Sequence, residues 1–306
     1  MALVNLNLPG DLLGGTNVGN VVSIGGGNTN GNTIADIGLV ADLPGVTVVD
    51  GRASILSPEG DLVAASVGAN VRVGTGAADL IDGALGDDVI FGGGGDDRIN
   101  GGAGNDVLDG GADNDAIYGN QGNDTLYGRD GNDLMNGGQG DDLIYGNQGN
   151  DTVTGSQGRD TVFGGQGNDV VDYSGFTDAQ LVYGNFQDDV ITGGEGADRL
   201  FGGQGNDVVR GGGGGDALYG NLGDDVLTGG AGADRFVIAN LIMGVNSGAD
   251  RITDFDAGEG DRIALNGQTY TAQGDTNGNT VLALSGGGTV TLDGVMAGSV
   301  QASWFV

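Results

Sequence analysis

The sequence predicts an all-β solenoid of two parallel sheets, coiled with eighteen residues per turn. Three observations carry this. A nine-residue unit recurs seventeen times between Gly74 and Val237, with glycine first and aspartate sixth in every copy. The eighth position of each unit is apolar, as in Ile81, Ile90, Ile99, Leu108, Ile144, Val171, Ile191 and Phe236. The chain of 306 residues has 70 glycines and only 5% aromatics, so any core is thin. A period this short means stacked units that bury an apolar side only against their neighbours.

The first array starts at Gly74 and runs eleven units to Asp172; the second runs six units from Gly184 to Val237. Well-formed copies read GGAGNDVLD (101–109) and GGQGNDVVD (164–172). The turn half, GGxGxD, needs glycine where the backbone takes φ > 0 or passes close to a bound ion. The other half reads as a three-residue strand. Alternation sends its middle residue, the eighth, inward and the seventh and ninth outward. Two units then make one coil: strand, turn, strand, turn. Stacked coils place a thin core between two sheets and a row of turns down each edge.

The sixth-position aspartates are the candidate metal ligands. They are Asp79, Asp88, Asp97, Asp106, Asp115, Asp124, Asp133, Asp142, Asp151, Asp160 and Asp169, then Asp189, Asp198, Asp207, Asp216, Asp225 and Asp234. Aspartate favours turns on its own account, but a plain turn would not fix one position in seventeen of seventeen copies. The chain has no Cys and no His, which argues against zinc, copper or iron–sulfur ligation. It offers oxygen, and Ca²⁺ wants six to eight oxygens. Of 42 acidic residues only Glu59, Glu195 and Glu259 are glutamates, and a tight turn needs the shorter arm.

The unit resembles the RTX (repeats-in-toxin, haemolysin-type calcium-binding) repeat GGxGxDxUx. The resemblance covers residues 74–237 with one break in phase. It implies a parallel β-roll with Ca²⁺ between neighbouring turns on each edge. Each ion would take two Asp carboxylates eighteen residues apart, such as Asp106 and Asp124, and turn carbonyls. If an array of n units holds up to n−2 ions, the total is about thirteen. Those ions would cancel about 26 charges of a formal net −32. Without them, carboxylate repulsion and glycine entropy leave the repeats disordered, so binding and folding become one event.

The flanks read as β-rich caps. Residues 1–73 form an N-terminal cap or assembly segment of short strands and turns, with Gly25–Thr33 as a loop. Asp61 and Asn70 lead in phase to Asp79, so imperfect coils begin near residue 56. Between the arrays, Tyr173–Tyr183 reads as one degenerate unit with two inserted residues and Asp178 nine after Asp169. Residues 238–306 form a C-terminal cap containing GADRITDFDAGEGDRIAL (248–265), which covers the last sheet edge. There Asp254, Asp256 and Asp261 read either as one further ion site or as solvated acids on a hairpin.

The opening residues lack the basic region and long apolar run of a cleaved signal, and no stretch reaches a transmembrane span. Absent cysteine and calcium sites of the millimolar type suit the outside of a cell. The resemblance implies type I secretion on an uncleaved C-terminal signal, and the ending GGGTVTLDGVMAGSVQASWFV is similar to that family's. The expected location is extracellular or at the cell surface, with the type I machinery as a partner. Ten arginines and no lysine against 42 acidic residues make nucleic acid and anionic membranes poor partners.

No catalytic residues are expected. HExxH is impossible without His, GxSxG is missing, and a phosphate loop needs a lysine.

The ninth position carries one more pattern. Alternate units give Phe91, Asp109, Tyr127, Tyr145, Phe163, Tyr183, Phe201 and Tyr219; the others give mostly polar residues. One sheet therefore bears an aromatic ladder, which stabilises the sheet, offers a face for self-association, or both. Three functional classes follow. The first is a calcium-stabilised structural subunit of a surface layer, sheath, matrix or filament. The second is a non-catalytic carrier or roll binding cell-surface polysaccharide. The third is a small toxin or enzyme with its active part in residues 1–73. The length of the repeat array, residues 74–237, favours the first.

Overall fold

A computed structural model describes residues 46–49, 52–55, 62–63, 66–238 and 248–306, with side chains from residue 68 onward. The loop expected at 25–33 and most of the expected N-terminal cap lie outside the described residues.

The repeats wind into two parallel sheets, with consecutive units in opposite sheets. One sheet runs through Arg98–Ala103, Ala116–Gln121 and Leu134–Gln139; the other runs through Val107–Ala112, Thr125–Asp130 and Leu143–Gln148. Register is eighteen residues: Ile117 pairs with Ile99 and Met135, and Leu126 with Leu108 and Ile144. This is the predicted roll. The eighth-position side chains stack as a single file in its centre, from Ile81 to Phe236, none more than 1% exposed.

Most strands hold six residues rather than the expected three. In Val107–Ala112 the in–out alternation continues through the next unit's first glycine, so Leu108 and Gly110 both point inward. The ladder runs on through the glycine pair, with Gly111 paired to Gly93 and Arg129 and Ala112 to Gly94 and Asp130.

The turn glycines divide into two kinds. All second-position residues except Thr75, Ser156 and Gly194 take φ > 0, and where the residue is not Gly it is often Asn, as at Asn120 (φ 78°), Asn147 (φ 77°) and Asn221 (φ 75°). Asparagine tolerates that region. The first position is Gly for a different reason. A Cβ at Gly146 would collide with Asp151 Oδ2 and the Gly164 carbonyl oxygen. The space beside that Cα is taken by oxygen.

The break changes one sheet only. Strands Thr152–Thr154, Val170–Asp172 and Val190–Thr192 shrink to three residues, while the opposite sheet runs unbroken through Thr161–Gln166, Leu181–Phe186 and Arg199–Gln204. Tyr183 pairs with Phe163 and Phe201, so coiling continues through the break as expected.

At the N-terminal side, Leu62–Val63 and Ser66–Val67 pair with Leu80–Leu85, which extends the coil upstream of the first full unit. At the other end, Ala249–Ile252 and Arg262–Ala264 continue one sheet each. An antiparallel meander of Tyr270–Gly274, Thr280–Leu284 and Thr289–Leu292 then covers the edge. Phe305 stacks on Tyr270 at 4.3 Å, and Trp304 lies 5.1 Å from Phe255.

The two glycine roles separate experimentally. Gly146→Ala should lower the thermal midpoint of the calcium-saturated protein by an amount corresponding to about 1–3 kcal/mol, because backbone and carboxylate must both shift. Asn147→Gly next door should be close to neutral. Differential scanning calorimetry of the two variants gives the comparison, and equal effects would contradict the assignment.

Candidate metal-binding edges

Each sixth-position aspartate sits at the corner where a turn meets a strand. All seventeen are buried, none more than 4% exposed. Their side chains tie successive turns of one edge together. The backbone N–H of Asp97 donates to Asp115 Oδ1 (2.8 Å), and that of Asp115 to Asp133 Oδ1 (2.8 Å). On the other edge Asp106 N–H donates to Asp124 Oδ1 (2.7 Å), and Asp124 N–H to Asp142 Oδ1 (2.8 Å). Two ladders therefore run the length of the roll.

The second carboxylate oxygen is the significant one. In fourteen of the seventeen, among them Asp106, Asp124, Asp151 and Asp207, Oδ2 is buried without a hydrogen-bond partner. An orphaned buried carboxylate oxygen costs several kcal/mol unless a cation meets it. Each orphan oxygen lies against its own unit's first glycine, and in most units a carbonyl oxygen of the next turn on that edge lies beside it. Asp97 Oδ2 and the Gly110 carbonyl, for example, both occupy the place a Cβ would take at Gly92. Carboxylate and carbonyl oxygens facing one gap form a donor set suited to a hard cation. Among the described residues no three acidic side chains converge on one point. The oxygens that line these edges come from single carboxylates of neighbouring turns and from backbone carbonyls.

Burial raises these carboxyls, and the neighbouring turns' carboxylates add to the rise, while the backbone N–H holds it back. Asp97 and Asp106 are pushed up to about 6, Asp115, Asp124 and Asp142 to about 7, and Asp189 to about 8.

The ladders extend beyond the repeat. Asn70 N–H donates to Asp88 Oδ1 (2.7 Å) at the start. At the end Asp225 N–H reaches Asp250 Oδ1 (3.2 Å), and Asp234 N–H reaches Asp261 Oδ1 (2.9 Å). Asp250 escaped the sequence reading, although Gly248-Ala-Asp-Arg-Ile252 echoes Gly232-Ala-Asp-Arg-Phe236. Of the C-terminal trio, only Asp261 joins a ladder. Asp254 accepts the N–H groups of Gly229 and Gly230, and Asp256 that of Gly258.

In the degenerate unit Gln180, not Asp178, holds the sixth place. Asp160 N–H donates to Gln180 Oε1 (2.8 Å), and Gln180 N–H to Asp198 Oδ1 (2.7 Å). The two inserted residues precede Gln180, so counting nine from Asp169 lands on the wrong residue.

A second ladder, also missed, uses the fifth position. Here the bond runs the other way. Asn123 N–H donates to Asn105 Oδ1 (2.8 Å), Asn132 N–H to Asn114 Oδ1 (2.8 Å) and Asn150 N–H to Asn132 Oδ1 (2.7 Å). Each turn is thus clamped to both neighbours. The signal was the preponderance of Asn and Asp at that position.

A two-sheet parallel roll edged by rows of buried, half-satisfied carboxylates is a solenoid whose edges are suited to hard cations. The profile of the RTX calcium-binding nonapeptide repeat matches residues 73–108, 109–144, 136–171, 145–179, 174–209 and 210–237, more than half of the chain. The chain belongs to that family, a non-catalytic repeat class whose members carry Ca²⁺ sites. Two solved structures are similar over part of their length. One is the AlgE6R3 subunit of the Azotobacter vinelandii mannuronan C5-epimerase, at 30% identity over 40% of this chain and 78% of that one, with a TM-score of 0.32. The other is the extracellular lipase LipA of Serratia marcescens, at 20% identity over 60% of this chain and 40% of that one, also with a TM-score of 0.32. A search of curated proteins finds no match.

The raised carboxyls predict a pH effect in the absence of metal. A group whose pKa rises on folding stabilises the fold fully below its unfolded value of about 3.8 and ceases to do so above its folded value. In chelator the β-sheet signal should therefore be stronger at pH 5 than at pH 8, and be lost as pH rises through about 6–8. With Ca²⁺ at pH 8 it should be retained. A metal-free roll more stable at pH 8 than at pH 5 would contradict the burial of these groups.

Proposed function

We propose that the chain is a secreted calcium-binding structural protein that folds on meeting Ca²⁺ outside the cell and self-associates through its aromatic sheet face. It would serve as a subunit of a surface layer, sheath, matrix or filament. The seventeen sixth-position aspartates, Asp79 to Asp234, are the proposed ligands. Neighbours on one edge, such as Asp106 with Asp124, share ions with turn carbonyls. The bound cation supplies the positive charge that the orphan oxygens lack. About thirteen such ions follow from n−2 per array. Export through the type I machinery, on a signal in residues 238–306, belongs to the same reading. So does a division into an N-terminal segment to residue 73, the roll, and a C-terminal cap.

The observation that carries self-association is the ring stack. Tyr127, Tyr145, Phe163, Tyr183, Phe201 and Tyr219 lie on the outer face of one sheet with successive centroids 5.1, 5.1, 5.0, 4.6 and 4.2 Å apart. Successive ring planes lie within 16° of each other, and each ring is half-buried. Phe91, next in line beyond Asp109, is 41% exposed. At Asp109, where the stripe is interrupted, Arg129 makes an ion pair at 2.7 Å and covers the Tyr127 ring at 4.7 Å.

The stacking also discriminates between readings. Sugar rings bind aromatic faces, and here the faces cover one another, leaving edges to solvent. That favours a contact stripe between protein surfaces over a polysaccharide site. A stripe that repeats along a rod meets a second rod in many registers, which suits lateral assembly. Among the described residues no helix is long and apolar enough to cross a membrane.

Sedimentation velocity in Ca²⁺ tests the assembly. The wild type should associate with rising concentration. The triple variant Tyr145→Ser, Phe163→Ser, Tyr183→Ser should stay folded but associate less. The lost ring pairs would lower stability by about 0.5–1.5 kcal/mol each, while the inward Ile144 and Val162 are untouched. A wild type that stays monomeric at high concentration in Ca²⁺ would reduce the stripe to sheet stabilisation.

A further inference from the structure

We propose that the turns around Gln180 form a calcium-free joint on one edge of the roll, in which the Gln180 amide does the work of a carboxylate and a cation together. The inference rests on the calcium reading above. Four features converge on it.

The first is the amide itself. Gln180 is 2% exposed, and its Oε1 accepts the Asp160 N–H, as Oδ1 does elsewhere. Its Nε2 donates to the carbonyl oxygens of Gly158 and Asp178, both at 2.9 Å. Gly158 and Asp178 are the fourth-position residues of the two adjoining turns. An aspartate has no donor to offer there, so an ordinary turn needs a cation to meet its inward oxygens. Gln180 meets two of them with protons.

The second is the state of the flanking carboxylates. Asp160 Oδ2 accepts the Ser156 hydroxyl (2.7 Å), and Asp198 Oδ2 accepts the Gly194 N–H (2.7 Å). Apart from Asp79 in the first unit, whose Oδ2 accepts the Thr75 N–H (2.6 Å), these are the aspartates of the arrays without an orphan oxygen. They sit on either side of Gln180 in the same ladder.

The third is space. At every other first-position glycine the place of a Cβ meets the unit's own Asp Oδ2, and at most of them a carbonyl oxygen as well. At Gly155 it is bounded by the Phe176 ring and Tyr173 Cα. Tyr173 occupies the first position of the degenerate unit, where every full repeat has glycine, and is fully buried. The gap that holds oxygens elsewhere is filled with carbon.

The fourth is charge. Arg159 stands at the fifth position beside Asp160, where most units have Asn or Asp. A guanidinium next to the turn works against a divalent cation.

The opposite edge shows none of this. Asp151, Asp169 and Asp189 run on through the same level, with Asp169 N–H donating to Asp189 Oδ1 at 2.8 Å and all three Oδ2 atoms orphaned. The joint is therefore one-sided. It splits one row of ions in two and leaves the other continuous. It joins the two arrays on that edge by neutral hydrogen bonds that do not themselves involve Ca²⁺.

A crystal structure of the calcium-saturated protein with anomalous scattering tests this. Peaks are expected between turns on both edges, on either side of the joint, with none touching Gly158 O, Gln180 Oε1 or Asp178 O. A peak bound by any of those atoms would overturn the joint. Absence of peaks at every turn would instead overturn the calcium reading beneath it. Gln180→Ala adds a second arm. Native mass spectrometry should count the same number of Ca²⁺ ions as in the wild type, while the thermal midpoint in saturating Ca²⁺ falls. Loss of an ion, or an unchanged midpoint, would count against the proposal.

Discussion

The roll depends on how it treats one buried carboxylate per turn. The aspartate's Oδ1 takes the N–H of the neighbouring turn and so sets the spacing between coils. Its Oδ2, in most units, has nothing to meet. That one unmet oxygen accounts for much else. It occupies the place a Cβ would need, so the first residue of each unit must be glycine. No cationic side chain meets it in the described residues, which is why the proposed role of Ca²⁺ couples binding to folding. Repeated down both edges, the aspartate supplies seventeen of the 42 acidic residues.

The rest of the structure compensates for a core only one side chain wide. A single file of Ile, Leu, Val and Met between two sheets buries far less apolar area per residue than an ordinary domain. Neighbouring coils are therefore held by parallel devices: the strand ladders, the forward bonds of the sixth position, the backward bonds of the fifth, and the ring stack on one face. All are nearest-neighbour contacts, as expected of a solenoid. The ends need other means. At the C-terminal end the meander from Tyr270 to Leu292 pairs with Ala249–Ile252, and Phe305 packs on Tyr270, so the last sheet edge is covered.

Much of this was legible in the sequence, because strict periodicity makes each position an average over many copies. The inward file from Ile81 to Phe236 and the placing of Tyr127 through Tyr219 on one face both follow from counting alone. Periodicity fails where the count slips. Gln180 was hidden because the two extra residues lie inside its own turn, and Asp178 kept the phase by coincidence. Asp250 was hidden because a longer insertion separates it from Asp225, although its local GADRI context carried the pattern. The fifth-position ladder was visible as composition but not as a bond, since its geometry depends on how the turn stacks. Strand length was underestimated at Val107–Ala112 and its counterparts because glycine pairs read as turn, while the ladder runs through them.

The central claim is that the buried carboxylate rows cannot be accommodated at neutral pH without a divalent cation. Far-ultraviolet circular dichroism at pH 7.5, first in EGTA and then during titration with Ca²⁺ into the millimolar range, addresses it most directly. The account predicts a disordered spectrum in chelator and a return of β signal that follows ion binding in a single coupled transition. Full β structure in EGTA, unchanged on adding Ca²⁺, would contradict it.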